Sequence, residues 1–111
     1  MSELAKKRCI PCEEKSMPPM TPQEAQKMMP HLHEGWMLVD DAHLLVHEFR
    51  FKDFAQAMSF ANKVAAIAEE EQHHPDLAIA WGNVSIELST HAIGGLSEND
   101  FILAAKIDEI K

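Results

Sequence analysis

Apolar residues recur with helical spacing between Asp53 and Glu71, the longest periodic segment of the chain. They fall on one side of a helix, at Phe54, Ala57, Met58, Ala61, Val64, Ala65 and Ala68. Asp53 supplies a side chain that can cap the first turn. Three glutamates, 69–71, end the apolar stripe. Their charge opposes the helix dipole, so we expect them to be solvated, or at least one of them to have a specific task.

Two shorter helices are predicted nearer the ends of the chain. The segment Thr21-Pro22-Gln23-Glu24 combines a capping threonine with a proline at the first helical position, which predicts a helix from Pro22 to about His31. Ser97-Glu98-Asn99-Asp100 has a similar S-x-x-D form. It precedes the closing helix, which we expect over 101–110.

Strand-like segments come in two pairs. Residues 36–40 and 44–51 are joined by a tight connection at 40–42, and residues 77–81 and 84–90 are joined through 82–83. Along the last strand, alternate residues point to opposite sides. The resulting order, α-β-β-α-β-β-α, predicts an α+β domain in which three helices pack on one face of a four-stranded antiparallel sheet.

Composition places the chain among globular proteins with a single domain. It has 111 residues, of which 46% are hydrophobic. Residues 1–20 differ, because they contain three prolines, three consecutive basic residues and no periodic pattern, so we interpret them as a tail that precedes a domain at 21–111. The formal net charge of −8 argues against nucleic-acid binding. No apolar run approaches the length of a membrane span, and no signal peptide is evident.

The two cysteines lie in the tail, as Cys9-x-x-Cys12. A zinc ribbon needs a second such pair, and a thioredoxin-like site needs a strand before the motif. We therefore interpret them as free thiols, with weak metal binding as the alternative. So few cysteines fit a cytoplasmic protein best.

The candidate chemistry is concentrated at His73-His74-Pro75, directly after the long helix. Because His74 precedes a proline, its backbone is biased toward an extended form, so the two rings should leave the chain in different directions. Imidazole has an ordinary pKa near ~6.5, so one ring can serve as an acid and another as a base. His91, at the end of the last strand, can reach the same rim of the sheet.

Two simpler interpretations remain open on the residues alone. The adjacent histidines could be solvated surface residues. Alternatively, His31-x-His33 and His43-x3-His47 have spacings that suit a metal, although neither pair has an obvious third ligand.

A longer pattern resembles a known family. Glu69-x3-His73-His74-Pro75-x5-Trp81-x9-His91-x8-Asp100 is similar to the motif of the pterin-4a-carbinolamine dehydratases, and the similarity covers about residues 20–111. The chain departs from some relatives at two positions: Gln72 replaces an acidic residue, and Asn99 replaces an arginine.

The resemblance implies dehydration of 4a-hydroxytetrahydrobiopterin to quinonoid dihydropterin and water. No electrons leave the pterin, so neither a redox cofactor nor a metal is expected. His73 and His74 would form the acid/base pair, and His91 would bind the substrate and assist at its hydroxyl. The expected substrate-binding residues are Glu69, which would hold a histidine or a ring nitrogen, Gln72, Trp81, Ser89, Thr90 and Asp100. The last of these would order His91 or the pocket wall.

The resemblance also implies partners. Family members recycle the pterin cofactor of aromatic amino-acid hydroxylases and form homodimers or homotetramers. Vertebrate relatives also act as dimerisation partners of a transcription factor, a role that residues 54–71 could serve here. A place in another pterin pathway, related to molybdopterin, is a further alternative.

Overall fold

The computed structural model describes residues 6, 19–90 and 93–110. The elements follow the order α-β-β-α-β-β-α, which confirms the predicted fold class. The helices are α1 (Pro22–Met28), α2 (Phe54–Glu71) and α3 (Glu98–Asp108). The strands are β1 (Met37–Val39), β2 (Leu44–Arg50), β3 (Asp76–Ala80) and β4 (Asn83–Leu88). Cys9 and Cys12 lie outside the described residues, so their interpretation as free thiols stays a prediction.

The start of α1 follows its sequence signal. The Glu24 N–H donates to the Thr21 hydroxyl at 3.1 Å, and the Thr21 N–H donates to the Glu24 carboxylate at 2.9 Å, which completes a capping box. The helix ends at Met28, and residues 29–31 continue as a 3-10 turn. Pro30 explains this tightening, because it has no N–H to donate to the preceding turn.

The sheet is antiparallel throughout, in the order β1-β2-β4-β3. Leu45 pairs with Leu88, and Phe49 pairs with Val84, so alternate residues of the two central strands share one face. The apolar residues on that face include the fully buried Leu45, Val84, Ile86 and Leu88. The opposite face carries Glu48 and Glu87, which are exposed.

Two helices cover the apolar face in different ways. The buried residues of α2 are mostly small, so the helix can lie close to the sheet; they are Ala57, Ala61, Val64, Ala68 and Glu71. Helix α3 is buried on almost every side, including all of residues 99–105. None of the helices within the described residues is long and apolar enough to cross a membrane.

Several element boundaries differ from the sequence predictions, and two of these differences have a clear local cause. Helix α3 begins at Glu98, earlier than expected, because Ser97 already serves as its N-cap. Strand β4 ends at Leu88 rather than at Thr90, since Thr90 leaves the sheet and forms an isolated bridge with Gly95. The connection at 40–42 holds three consecutive residues at positive φ (55°, 54° and 62°), an arrangement that apolar and polar periodicity does not reveal.

The cap of α2 provides a test of how this helix is held. The Gln56 N–H donates to Asp53 Oδ1 at 2.8 Å. We expect Asp53→Ala to lower the free energy of unfolding by about 1 kcal/mol, whereas Asp53→Ser should stay close to the wild type because it retains an acceptor oxygen. Urea denaturation measures both. Equal losses in the two variants would contradict a capping role.

Candidate active site

The end of α2 sends His73 and His74 in different directions. Gln72 ends the helix in the left-handed conformation (φ 55°), and its side-chain amide donates to the Glu69 carbonyl at 2.6 Å. The following His73 is 8% exposed, whereas the side chain of His74 is 56% exposed. The structure thus confirms that the two rings diverge, and it places one inside the protein and one at the surface.

The buried ring contacts a buried carboxylate. His73 Nε2 lies 2.6 Å from Oδ1 of Asp100, a residue in the first turn of α3 with no exposed surface. This bond joins positions 27 residues apart and connects the end of α2 to the start of α3. Burying a charge is costly without partners, so the geometry around Asp100 decides whether the arrangement is stable.

The second carboxylate oxygen of Asp100 has partners of its own. Oδ2 accepts the Thr90 hydroxyl at 2.8 Å and the Ser97 N–H at 3.0 Å. The two hydroxyl oxygens of Thr90 and Ser97 lie 2.7 Å apart. With His73, three donors converge on one carboxylate, and all four residues are buried. Such a fully satisfied network can hold a charge in the interior.

The exposed ring has a carboxylate partner as well. His74 Nε2 hydrogen-bonds Oε2 of Glu69, which lies one turn earlier on α2. Both side chains are more than half exposed. An exposed pair of this kind contributes little to stability, so its main effect is to orient the ring.

Another of the three glutamates also has a specific contact. Glu71 is buried, and its Oε2 lies 3.9 Å from Nζ of Lys106 on α3. The expectation that at least one glutamate has a task is therefore confirmed for Glu69 and Glu71.

The two imidazoles share one chemical feature: each is held by a carboxylate through Nε2. The described residues leave Nδ1 of both rings without a hydrogen-bond partner. Because an ionised carboxylate only accepts, Nε2 carries a proton in the neutral ring as well as in the cation. Among the described residues, Nδ1 is therefore the nitrogen of each ring that no carboxylate engages.

The remaining predicted residues have different positions. Thr90 is buried and directs its hydroxyl to Asp100, and Ser89 is half-buried. Trp81 is 69% exposed, beyond the end of β3 that lies away from His74. The strand between them is about 16 Å long, so Trp81 does not lie beside the histidines of the same chain. His91 lies outside the described residues, so its proximity to the other two rings stays a prediction.

The sequence patterns missed Ser97 as part of this cluster. Its S-x-x-D spacing to Asp100 was interpreted only as the start of a helix. The same S-x-x-D spacing also places Ser97 next to the buried carboxylate, because its N–H donates to Asp100, the residue that His73 contacts. Asp100 was expected to order His91 or the pocket wall, and the structure shows His73 as its imidazole partner.

The other histidines do not assemble a metal site within residues 19–90 and 93–110. No group of three or more potential ligands is clustered in this part of the chain. His47 instead stacks on Phe49, with ring centroids 3.8 Å apart, and meets Trp36 edge-on. A cavity of about 610 Å³ adjoins these rings. It shares no lining residue with the histidine pair.

Three comparisons identify similar proteins. The family profile described as pterin 4 alpha carbinolamine dehydratase matches residues 18–110. A relative in Alkaliphilus metalliredigens, whose name assigns it to the pterin-4-alpha-carbinolamine dehydratases, is 47% identical over 98% of this chain and 96% of its own length.

Two solved structures are also similar. A transcriptional coactivator/pterin dehydratase from Brucella melitensis matches with a TM-score of 0.74 and 34% identity, over 80% of this chain and 94% of that one. A pterin dehydratase-like protein described as a RuBisCO assembly factor in the alpha-carboxysome matches with a TM-score of 0.59 and 27% identity, over 68% of this chain and 88% of that one. The profile match and the close relative show that this chain belongs to the pterin-4a-carbinolamine dehydratase family.

Proposed function

We propose that this protein dehydrates 4a-hydroxytetrahydrobiopterin by histidine acid/base catalysis. The observation that carries the proposal is the pair of adjacent imidazoles, each oriented through Nε2 by a carboxylate, with no partner for Nδ1 among the described residues. Membership of the family supports the same substrate class.

The reaction needs two proton movements. The C4a–O bond breaks as the hydroxyl oxygen accepts a proton, because hydroxide is a poor leaving group. The N5–H proton is removed, and its electron pair forms the C4a=N5 bond. Quinonoid dihydropterin and water are the products, and no external oxidant or reductant takes part.

The two histidines are suited to these movements in different ways. His73 is fixed inside the protein by Asp100, so its Nδ1 has a defined position. His74 is oriented by Glu69 but remains accessible to water, which allows its proton to exchange with solvent between turnovers. His91 is assigned to the substrate hydroxyl on the motif alone. Gln72 already caps α2 with its amide, so its proposed substrate contact would have to form alongside that bond or replace it.

Pathway, location and assembly are proposed on the resemblance and the shape of the sheet. We propose a cytoplasmic role in recycling the pterin cofactor of an aromatic amino-acid hydroxylase. We also propose a homodimer or homotetramer. Strand β3 lies at the edge of the sheet, and Ile79 on it is 39% exposed. Sedimentation of the full chain should give a mass above 12.5 kDa, and a monomer at micromolar concentration would contradict this.

A second candidate function is protein binding through α2. Phe54 at the start of this helix is 49% exposed, and a similar solved structure is described as a transcriptional coactivator/pterin dehydratase. The two functions are separable, because His73→Ala should abolish dehydration without affecting a partner that binds α2.

The first test is the loss of each imidazole. We expect His73→Gln and His74→Ala to lower kcat by about 10²–10⁴-fold, because each removes a positioned acid or base. Stopped-flow absorbance on synthetic carbinolamine measures the rate. His33→Ala, which removes a ring outside the pair, is the matched control and should keep the wild-type rate. Wild-type kcat in the double variant of His73 and His74 would exclude the mechanism.

The same variants should differ in stability. His73→Ala leaves a buried carboxylate short of one donor, so we expect it to lose about 1–3 kcal/mol of unfolding free energy. Glutamine at this position keeps an N–H that can donate to Asp100 and should recover part of that loss. His74→Ala should unfold like the wild type, since its ring is exposed.

The cysteines provide a negative prediction. Cys9 and Cys12 precede both the motif and the family match, which begins at residue 18. Cys9→Ser and Cys12→Ser should therefore leave kcat unchanged in the same assay. A large loss with the far-ultraviolet circular dichroism spectrum preserved would show that the tail takes part in the site.

A further inference from the structure

We infer that Thr90 and Ser97 are positioning residues, which orient the Asp100 carboxylate so that His73 keeps its proton on Nε2 and presents Nδ1 to the substrate. This inference deepens the proposed dehydratase function and rests on it for its catalytic consequence. It changes the expected role of Thr90, which the resemblance placed among the substrate-binding residues.

The first step is burial. Thr90 is 2% exposed, Ser97 is 5% exposed and Asp100 is fully buried. The Thr90 hydroxyl is engaged by Asp100 and Ser97, so it acts on a ligand only through the carboxylate. Backbone bonds keep it there, because Thr90 N–H donates to the Gly95 carbonyl at 2.8 Å and closes the turn that leads to Ser97.

The second step is the direction of each proton. A carboxylate offers only acceptors, so the single hydroxyl proton of Thr90 points to Asp100 Oδ2. The Ser97 hydroxyl must then donate to Thr90 Oγ1, since Thr90 has no second proton to give. The Ser97 N–H can only donate, and it also points to Oδ2. The Ser97 hydroxyl therefore donates to Thr90, and the Thr90 hydroxyl donates to Asp100. Oδ2 of Asp100 acts only as an acceptor.

The third step concerns the tautomer of His73. With Oδ2 satisfied by two donors, Oδ1 is directed at His73 Nε2. It accepts the Nε2 proton, and the lone pair of the neutral ring is then on Nδ1. Tautomer control by a hydrogen-bonded carboxylate is a general means of fixing which imidazole nitrogen reacts.

These donor and acceptor directions, from Ser97 through Thr90 and Asp100 to His73, predict the effect of an amide at position 100. In Asp100→Asn, the Thr90 hydroxyl and the Ser97 N–H still require an acceptor, so the amide oxygen occupies the Oδ2 position. The amide NH₂ then faces His73 Nε2 and needs a lone pair there. His73 is driven to the Nδ1–H tautomer, in which Nδ1 cannot accept a proton.

The experiment measures rate and tautomer in the full-length chain. Steady-state and stopped-flow kinetics on synthetic carbinolamine give kcat and KM. Nitrogen-15 spectra of histidine-labelled protein, recorded at alkaline pH in the neutral form of the ring, report which nitrogen of His73 carries the proton. The variants are Thr90→Val, with Thr90→Ser as its hydroxyl-bearing match, Ser97→Ala and Asp100→Asn.

We expect Asp100→Asn to switch His73 to the Nδ1–H form and to lower kcat by roughly 10²-fold or more. Thr90→Val should lower kcat about tenfold, with KM within about twofold of the wild type, and should mix the two tautomers. Thr90→Ser should recover most of the lost rate. A residue that lined the pocket would instead raise KM and leave the tautomer unchanged.

The outcomes separate this inference from the proposed function. If the wild type does not dehydrate the carbinolamine but Asp100→Asn still switches the tautomer, the dehydratase proposal fails, and the control of the His73 tautomer by Asp100 is supported. If the wild type is active and His73 stays Nε2–H in both Asp100→Asn and Thr90→Val, the inference that these residues fix the His73 tautomer is wrong. Should Thr90→Val fail to fold, Ser97→Ala and Asp100→Asn decide the question by the same spectra.

Discussion

The hydrogen bond between His73 and Asp100 is the interaction on which the rest of the site depends. A carboxylate with no exposed surface requires donors, and this one receives them from three separate segments: the end of α2, the turn after β4, and the first turn of α3. Each segment is therefore held at a definite distance from the others by the same charge. The imidazole of His73 is placed by the condition that keeps the buried carboxylate satisfied.

The two neighbouring histidines show how a short peptide can supply two different environments. Gln72 in the left-handed conformation turns the chain away from the helix axis, and Pro75 restricts the backbone of His74. One ring enters the interior and the other stays in contact with water. Both nevertheless present the same atom, because each carboxylate partner takes Nε2. One ring of the dipeptide is thus fixed in the interior, and the other is open to exchange with solvent.

The sequence was sufficient for the elements and the motif, because both depend on short-range patterns. The spacing of small apolar residues predicted α2, and alternation predicted the strands. The contact between His73 and Asp100 spans 27 positions, and no local pattern encodes it. Ser97 has the sequence signal of a helix cap, which hides its contact with Thr90, and Thr90 itself looked like a strand residue. The contact between Thr90 and Ser97 depends on the isolated bridge between Thr90 and Gly95, which forms only in the folded chain.

The glutamates at the end of α2 illustrate the same limit. Their charge opposes the helix dipole, so propensity alone favours solvation. Two of them have specific partners. Glu69 meets His74, five residues later, as the resemblance implied. Glu71 approaches Lys106 on α3, a contact that only the tertiary structure provides. The first contact orients one imidazole, and the second connects α2 to α3, the helix that carries Asp100.

The last residues of the predicted tail, directly before the domain at 21–111, also take part in holding the site. The Met20 N–H donates to the Leu96 carbonyl at 2.8 Å, directly before Ser97. A Cβ at Gly95 would lie 2.7 Å from the Cβ of Pro19, so only glycine allows the two segments to approach this closely. The turn that presents Thr90 and Ser97 is consequently supported from both sides, by its own bridge and by the chain that enters α1. The match to the family begins at residue 18, directly before Pro19 and Met20, and the site therefore depends on segments outside the histidine motif.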